Sequence, residues 1–468
     1  MSFSSKVESS KTSRFSLYVV AMGTAFGLGN LWRFPYVVAD NGGGAFVYLY
    51  IILGIVFATP LLIAEFMFGK TTKHSVIGAL QDYQQKYGKE KWFKFFSMSI
   101  NGKPYLGFVC MLSCIIVMSY FSVVSGWVLH YLVHYVAAVF TDDRLVSSVP
   151  LQILIQKPWL QVLLASAHML LVLMVITQGI EQVLEKWVGY IMPIFGALSL
   201  FLVFKSFSLS TTPEALRFFF YPNFTKLNLS SAAHVIGHLC FTLGLGFGLL
   251  VTFGSYLRPS TRTPEVGFWV SNWDTFISVI GGLIIFPVLF SSIGGLSQEP
   301  DLLFKAAPAF FNRFVYGSWL ALSFFFCLYL GVLGASLSLT ESLISGIKNY
   351  KGVSRQKAGT IGITVIVLFS IFPALSQSTF KIIKLSDYNL LQILDQLVVN
   401  WMLPILTLFI SQILIRGIEK KSLEDEFYEE GKLNYDVNYK QWVWSIKWLC
   451  PVLIVGALVL QLVDYIIS

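Results

Sequence analysis

Gly23-Thr-Ala-Phe-Gly-Leu-Gly-Asn-Leu-Trp-Arg-Phe-Pro35 is the stretch on which the fold turns. It lies in an apolar run from about residue 16 to 38, long enough to cross a bilayer as one helix. Glycine in a helix costs about 1 kcal/mol relative to alanine, and here three glycines fall within seven residues. The run is therefore expected to unwind part-way across. A second run, 232–256, carries the same fault at Phe241-Thr-Leu-Gly-Leu-Gly-Phe-Gly248. Lone glycines in membrane helices mark packing contacts; clusters in two separate runs call for another reason. Irregular backbone at mid-membrane is tolerated only where protein buries it or where it lines a cavity. There the freed carbonyls can ligate a cation, and the half-helix N-termini can hold a carboxylate. Breaks at corresponding positions of two halves point to a binding site near the bilayer midplane.

The rest of the chain supplies the halves. Of 468 residues, 55% are hydrophobic and 12% charged, against about 25% charged in soluble domains. Apolar runs near 16–38, 44–69, 104–138, 159–177, 187–205, 232–256, 267–295, 316–346, 358–375, 389–415 and 441–467 predict eleven transmembrane helices. The expected class is an all-α integral membrane protein with a 5+5 inverted repeat and broken helices 1 and 6. Its parts are an N-terminal cytoplasmic segment (1–15), a first repeat (16–205), an extracellular loop (206–231), an inverted repeat (232–415), a cytoplasmic loop (416–440) and a peripheral eleventh span (441–468). The 416–440 loop reads as a solvated charged segment, and the 299–314 stretch reads equally as an amphipathic helical hairpin or a surface loop. With the N-terminus inside, 23 of the 33 Lys and Arg fall in inside loops or, for Lys447, at the inner end of the eleventh span, as the positive-inside rule requires. Eleven spans then place the C-terminus outside. The five cysteines all lie in apolar runs and are odd in number, which gives no disulfide framework and no zinc site. The net charge of +8 comes from short loops and is no nucleic-acid signal. No nucleophile–base pair, metal cluster or nucleotide loop marks an enzyme.

Gly27-Leu-Gly-Asn-Leu-Trp-Arg-Phe-Pro35, followed by Asn41-Gly-Gly-Gly-Ala-Phe46, resembles the neurotransmitter:sodium symporter family, in particular its bacterial amino-acid members with a leucine-transporter-type fold. Ser119–Trp127, Thr242–Gly248, Gly282–Pro287, Leu394-Asp395 and Asn400–Pro404 extend the resemblance, which runs from about residue 12 to the end. It implies sodium-coupled symport of an amino acid across a bacterial inner membrane by alternating access. By motif position, the implied substrate contacts are Ala25, Gly27, Leu28, Gly29, Val117, Phe121, Phe241, Thr242, Gly244, Phe247, Ala335 and Leu339. Members that carry biogenic amines have Asp at the position of Gly27; glycine leaves room for the carboxylate of an α-amino acid. The implied pocket carries no charge, which favours an apolar or aromatic side chain, and Gly244 is expected to widen it. The implied first sodium site is the Ala25 carbonyl with Asn30, Thr242 and Asp274, hard oxygen ligands for a hard cation. Chloride-dependent relatives have Asn where this chain has Asp274, so chloride is expected not to be required, although Ser278 stands at the later position. Arg33 and Asp395 match the outer gate, with Phe247 as its lid. Glu65 is read as structural, bonding the backbone of span six.

The chain also departs from the family. Of the implied second sodium site, the carbonyls of Gly23, Phe26 and Gly331 remain, but Gly334 and Ala335 replace the two hydroxyl ligands. One sodium is expected and a second is doubtful. Phe121 replaces a tyrosine whose hydroxyl holds the substrate carboxylate; Tyr120, next to it, is expected to face elsewhere. His238 replaces a glutamine, which makes it either a hydrogen-bonded interior histidine or a proton site. At the inner gate, Lys11 and Asn349 replace a tryptophan and an aspartate, leaving Arg14 and Tyr256 to contribute. The alternatives are a proton-coupled or uncoupled transporter of the same fold and a non-transporting amino-acid receptor.

Overall fold

The computed structural model describes residues 29–87, 105–141, 151–178, 180–291, 302–312, 314–377, 384–385, 388–418, 420–428 and 439–467. The fold is all-α membrane architecture. Among the described residues, eight helices are long and apolar enough to cross a bilayer: Gly44–Thr72, Tyr105–Thr141, Pro158–Ile176, Thr263–Ser291, Gly317–Lys351, Arg355–Ser376, Leu390–Gly417 and Tyr439–Ile466. They are spans two, three, four, seven, eight, nine, ten and eleven of the sequence. Span five is Ile180–Ser206. Of span one, Gly29–Arg33 forms a wide π-helical turn that leads into Phe34–Asp40; Gly23, Ala25, Phe26, Gly27 and Leu28 lie outside the described residues.

Span six is two helices, Leu229–Leu243 and Leu249–Tyr256. Gly244 ends the first in the left-handed region at φ 74°, where a side chain is strained and glycine is not. The turn that follows needs a partner for its freed amides. Glu65 of span two supplies one, its Oε1 accepting from the Gly246 amide at 2.8 Å. The second half of span six then lies backbone-to-backbone on span two. A Cβ on Gly254 would stand 2.2 Å from the Phe66 carbonyl oxygen, and one on Gly69 would stand 1.8 Å from that of Val251. Small residues permit this approach where lipid offers no hydrophobic drive between helices.

The connecting segments carry more structure than their polarity suggests. The 206–231 loop contains the helix Thr212–Phe220, with Ala215 and Phe219 buried. In the 299–314 stretch, Leu302–Phe311 is helical, and its Phe304 stacks on Tyr131 at 5.8 Å between centroids. The 416–440 reading needs correction. Lys420–Tyr428 is a helix whose Leu423 and Phe427 are buried, with the Phe427 ring 5.2 Å from that of Trp442. The two apolar residues are four apart and share a face, so the charges line only the other. Glu426 there pairs with the buried Lys70, which also donates to the Thr261 carbonyl at 2.7 Å. Lys384–Leu385 and Tyr388–Asn389 pair as short antiparallel strands, Leu385 opposite Tyr388.

Gly254→Val drives a side chain into the Phe66 carbonyl. The expected result is a loss of at least 2 to 3 kcal/mol, roughly the scale of overpacking, seen as a lower Tm in detergent. An unchanged Tm would mean that the contact is dispensable.

Candidate functional site

The site begins with a buried acid. Asp274, in span seven, is fully buried. Asn30 Nδ2 donates to its Oδ1 at 2.9 Å and to its carbonyl at 3.0 Å. Tyr50 Oη donates to Oδ2 at 2.5 Å, and Thr242 Oγ1 lies 3.3 Å from the same oxygen. These partners are all neutral. Ser278 Oγ sits beside them, 3.0 Å from Asn30 Nδ2 and 3.2 Å from Tyr50 Oη. Asn30 Oδ1 is buried and has no hydrogen-bond partner among the described residues. Spans one, two, six and seven thus converge on a carboxylate, a hydroxyl and an unpartnered amide oxygen. These are the donors a hard monovalent cation takes, and an ion there would offset the cost of burying the carboxylate. Asn30, Thr242 and Asp274 fit sodium on that ground. Tyr50 was not legible as a member, because a tyrosine in an apolar span gives no signal of its partner.

Next to this cluster lies a cavity of about 30 Å³ lined by Gly29, Asn30, Phe121, Phe241, Thr242, Gly244, Leu249, Ala335, Ser338 and Leu339. Seven expected contacts line it: Gly29, Phe121, Phe241, Thr242, Gly244, Ala335 and Leu339. Two do not. Val117 is fully buried. Phe247 is buried with its carbonyl facing Ser342 Oγ at 3.4 Å. Leu249 and Ser338 are additions. The volume holds about two waters, so an amino acid enters only if side chains move.

Next to Phe241 of the cavity wall is a buried ion pair. Arg33 Nε and Nη2 donate to Asp395 Oδ2 at 3.3 and 3.1 Å. Arg33 Nη1 lies 2.9 Å from His238 Nδ1. A guanidinium only donates, so Nδ1 is the acceptor and the imidazole is neutral in this arrangement. The guanidinium carbon lies 5.5 Å from the Phe241 ring centroid and 5.9 Å from that of Tyr36. Phe241, and not Phe247, is thus the span-six aromatic ring that the structure brings to the Arg33 guanidinium. Tyr120 is turned from the cavity, and its hydroxyl donates to Asp395 Oδ1 at 2.9 Å. Beyond the pair opens a larger cavity of about 240 Å³ lined by Trp32, Tyr36, Asp40, His234 and Asn400 among others.

At the opposite end, Glu341 of span eight is fully buried and pairs with Arg355. Tyr256, ending the second half of span six, donates to Glu341 Oε1 at 2.8 Å. Asn349 donates instead to Ser75 Oγ at 2.8 Å. Lys11 and Arg14 lie outside the described residues. Around Gly331, Gly334 and Ala335 the nearby hydroxyls are committed: Ser336 to His168 Nε2 at 2.8 Å, and Ser338 to the Gly334 carbonyl at 2.9 Å.

A membrane bundle with a broken helix at an oxygen cluster, and a small cavity with a buried ion pair beside its wall, has the form of an ion-coupled secondary transporter. The chain belongs to the sodium:neurotransmitter symporter family, whose model matches residues 9–143 and 151–467. It is 27% identical over 444 residues to the uncharacterized sodium-dependent transporter YhdH of Bacillus subtilis, covering 95% of each chain. It is 26% identical to an uncharacterized sodium-dependent transporter of Haemophilus influenzae, over 97% of this chain and 98% of that one. Its fold matches the crystal structure of MhsT in complex with L-phenylalanine with a TM-score of 0.85 and 26% identity, covering 96% of this chain and 98% of that one.

Tyr120→Phe strips a donor from a buried carboxylate, a loss of about 1–3 kcal/mol. The expected result is an Arg33–Asp395 pair that opens more often. A cysteine placed at Ala335, with the native cysteines replaced, should then be alkylated about tenfold faster, since that ratio corresponds to about 1.4 kcal/mol. An unchanged rate would show that Tyr120 does not hold the gate.

Proposed function

We propose that the chain is a sodium-coupled symporter of an apolar or aromatic α-amino acid that works by alternating access. The observation that carries this is the buried Asn30–Thr242–Asp274 cluster, with its unpartnered Asn30 oxygen, at the edge of a small cavity with the buried Arg33–Asp395 pair beside its wall. The cavity walls are Phe121, Phe241, Leu249, Ala335 and Leu339, with no charged side chain among the described lining residues. That lining suits an apolar side chain. The substrate's carboxylate would lie towards Gly29, Thr242 and the cation, because Phe121 has no hydroxyl to offer it. L-phenylalanine bound to MhsT supports the same substrate class.

The cycle follows from the contacts. Sodium at Asp274 draws spans one, six and seven together and favours the substrate-ready state. Substrate closure then sets Phe241 and the Arg33–Asp395 pair over the cavity. In our orientation, with the N-terminus in the cytoplasm and the C-terminus outside, that pair faces outward. Glu341, Arg355 and Tyr256 close the inward end, and breaking them releases sodium and substrate. His238 serves as the neutral acceptor that holds Arg33, a role that needs no proton transfer. We assign one sodium per cycle to the first site. The second site lacks the two expected span-eight hydroxyls at Gly334 and Ala335, and of its three remaining members Gly331 is in span eight while Gly23 and Phe26 lie outside the described residues.

Proteoliposomes with an inward sodium gradient should accumulate phenylalanine or leucine at least tenfold over a choline control at fixed pH. Replacing chloride by gluconate should change the rate less than twofold, because Asp274 already supplies the fixed negative charge. Accumulation without sodium would overturn the coupling. Binding without accumulation would favour a receptor, and chloride-stimulated uptake would overturn the role given to Asp274.

A further inference from the structure

We propose that Leu249, acting across the gap left by Gly244, sets the largest substrate side chain the cavity accepts; this rests on the transport reading above. The sequence alone suggests that glycine at 244 widens the pocket. The structure shows that the vacated space is filled. A Cβ built on Gly244 would stand 2.7 Å from Leu249 Cδ2, and both residues line the cavity. Leu249 opens the second half of span six, directly after the turn. It is 2% exposed. Its isobutyl group forms part of the cavity wall beside Gly244.

The cavity has two ends. Gly29, Asn30 and Thr242 lie at the cation cluster, so the ionic part of an amino acid belongs there. Leu249 and Leu339 are aliphatic wall residues that make no polar contact. Of the residues meeting at the break, Gly244 cannot adjust, because it has no side chain and its φ of 74° penalises any other residue. Leu249 can, since the atom facing Gly244 is the far end of a rotatable side chain. Size selection therefore falls on the leucine. Substrates that leave it in place are expected to be held in a close-fitting wall, and larger ones must turn it aside. The inference predicts a limit set by shape, with no new polar recognition.

The test measures kcat/KM for tryptophan, phenylalanine, leucine and alanine in sodium-driven uptake by proteoliposomes. Leu249→Ala should raise the tryptophan-to-alanine ratio about tenfold or more, the scale on which one or two methylenes discriminate in an apolar pocket. Leu249→Phe should lower it by a similar factor. A purely structural role for Leu249 would scale all four substrates together in both variants, and that result would overturn the proposal. Absence of sodium-driven uptake of any amino acid by the wild type would instead overturn the transport reading itself.

Discussion

A carboxylate buried in an apolar helix must be answered, and Asp274 is the group on which this structure depends. A charge in mid-membrane costs roughly 3 kcal/mol or more, and the partners around Asp274 are amide and hydroxyl groups rather than a cation. These partners come from spans one, two and six. The acid therefore binds to span seven the two helices that glycine clusters break. A cation between Asn30, Thr242 and Asp274 would complete the group, and its loss would loosen the same three spans. Ion binding and helix arrangement are in this way one equilibrium.

The broken sixth span shows how the chain tolerates unwound backbone in the membrane. Glu65 takes the Gly246 amide, and the glycine contacts at 69 and 254 hold the second half on span two. The first half is free to answer to other groups: its His238 takes Arg33, and its Phe241 lies under the same guanidinium. Arg33 distributes its donors between His238 and Asp395, and Tyr120 fixes the other oxygen of Asp395. Spans one, three, six and ten thus meet at one closure. At the other end, Tyr256 and Arg355 meet the buried Glu341. Each half of span six ends on a different closure, an arrangement suited to opening one while the other holds.

Much of this was legible in residues. Among the described residues the apolar runs place the spans to within about five positions, except that span five starts at Ile180 rather than 187, because twenty apolar residues have few other uses. Gly244, Gly246 and Gly248 announced the break. The register of Arg33 with Asp395, and of Asn30 with Asp274, followed from motif position. Other features were hidden for geometric reasons. Motif position puts Phe247 in the pocket and does not point to Leu249, because a left-handed turn at Gly244 decides which side chain after it meets the cavity. Hydropathy ranks faces but does not pair a hydroxyl with an acid 275 residues away, and the contact of Tyr120 with Asp395 was not foreseen. The 416–440 segment misled by its charge, since two buried residues, Leu423 and Phe427, suffice to seat a short helix.

If Asp274 and its neighbours hold sodium, sodium stabilises the fold through them. Thermal denaturation of the purified protein measures this, with NaCl replacing choline chloride at constant ionic strength, wild type against Asp274→Asn. The Tm of the wild type is expected to rise with sodium, approaching about 2.7 kcal/mol of added stability at a hundred times Kd. In the variant this response is expected to be lost or shifted to much higher sodium. No sodium response in the wild type, or an equal response in both proteins, would contradict sodium binding at Asp274.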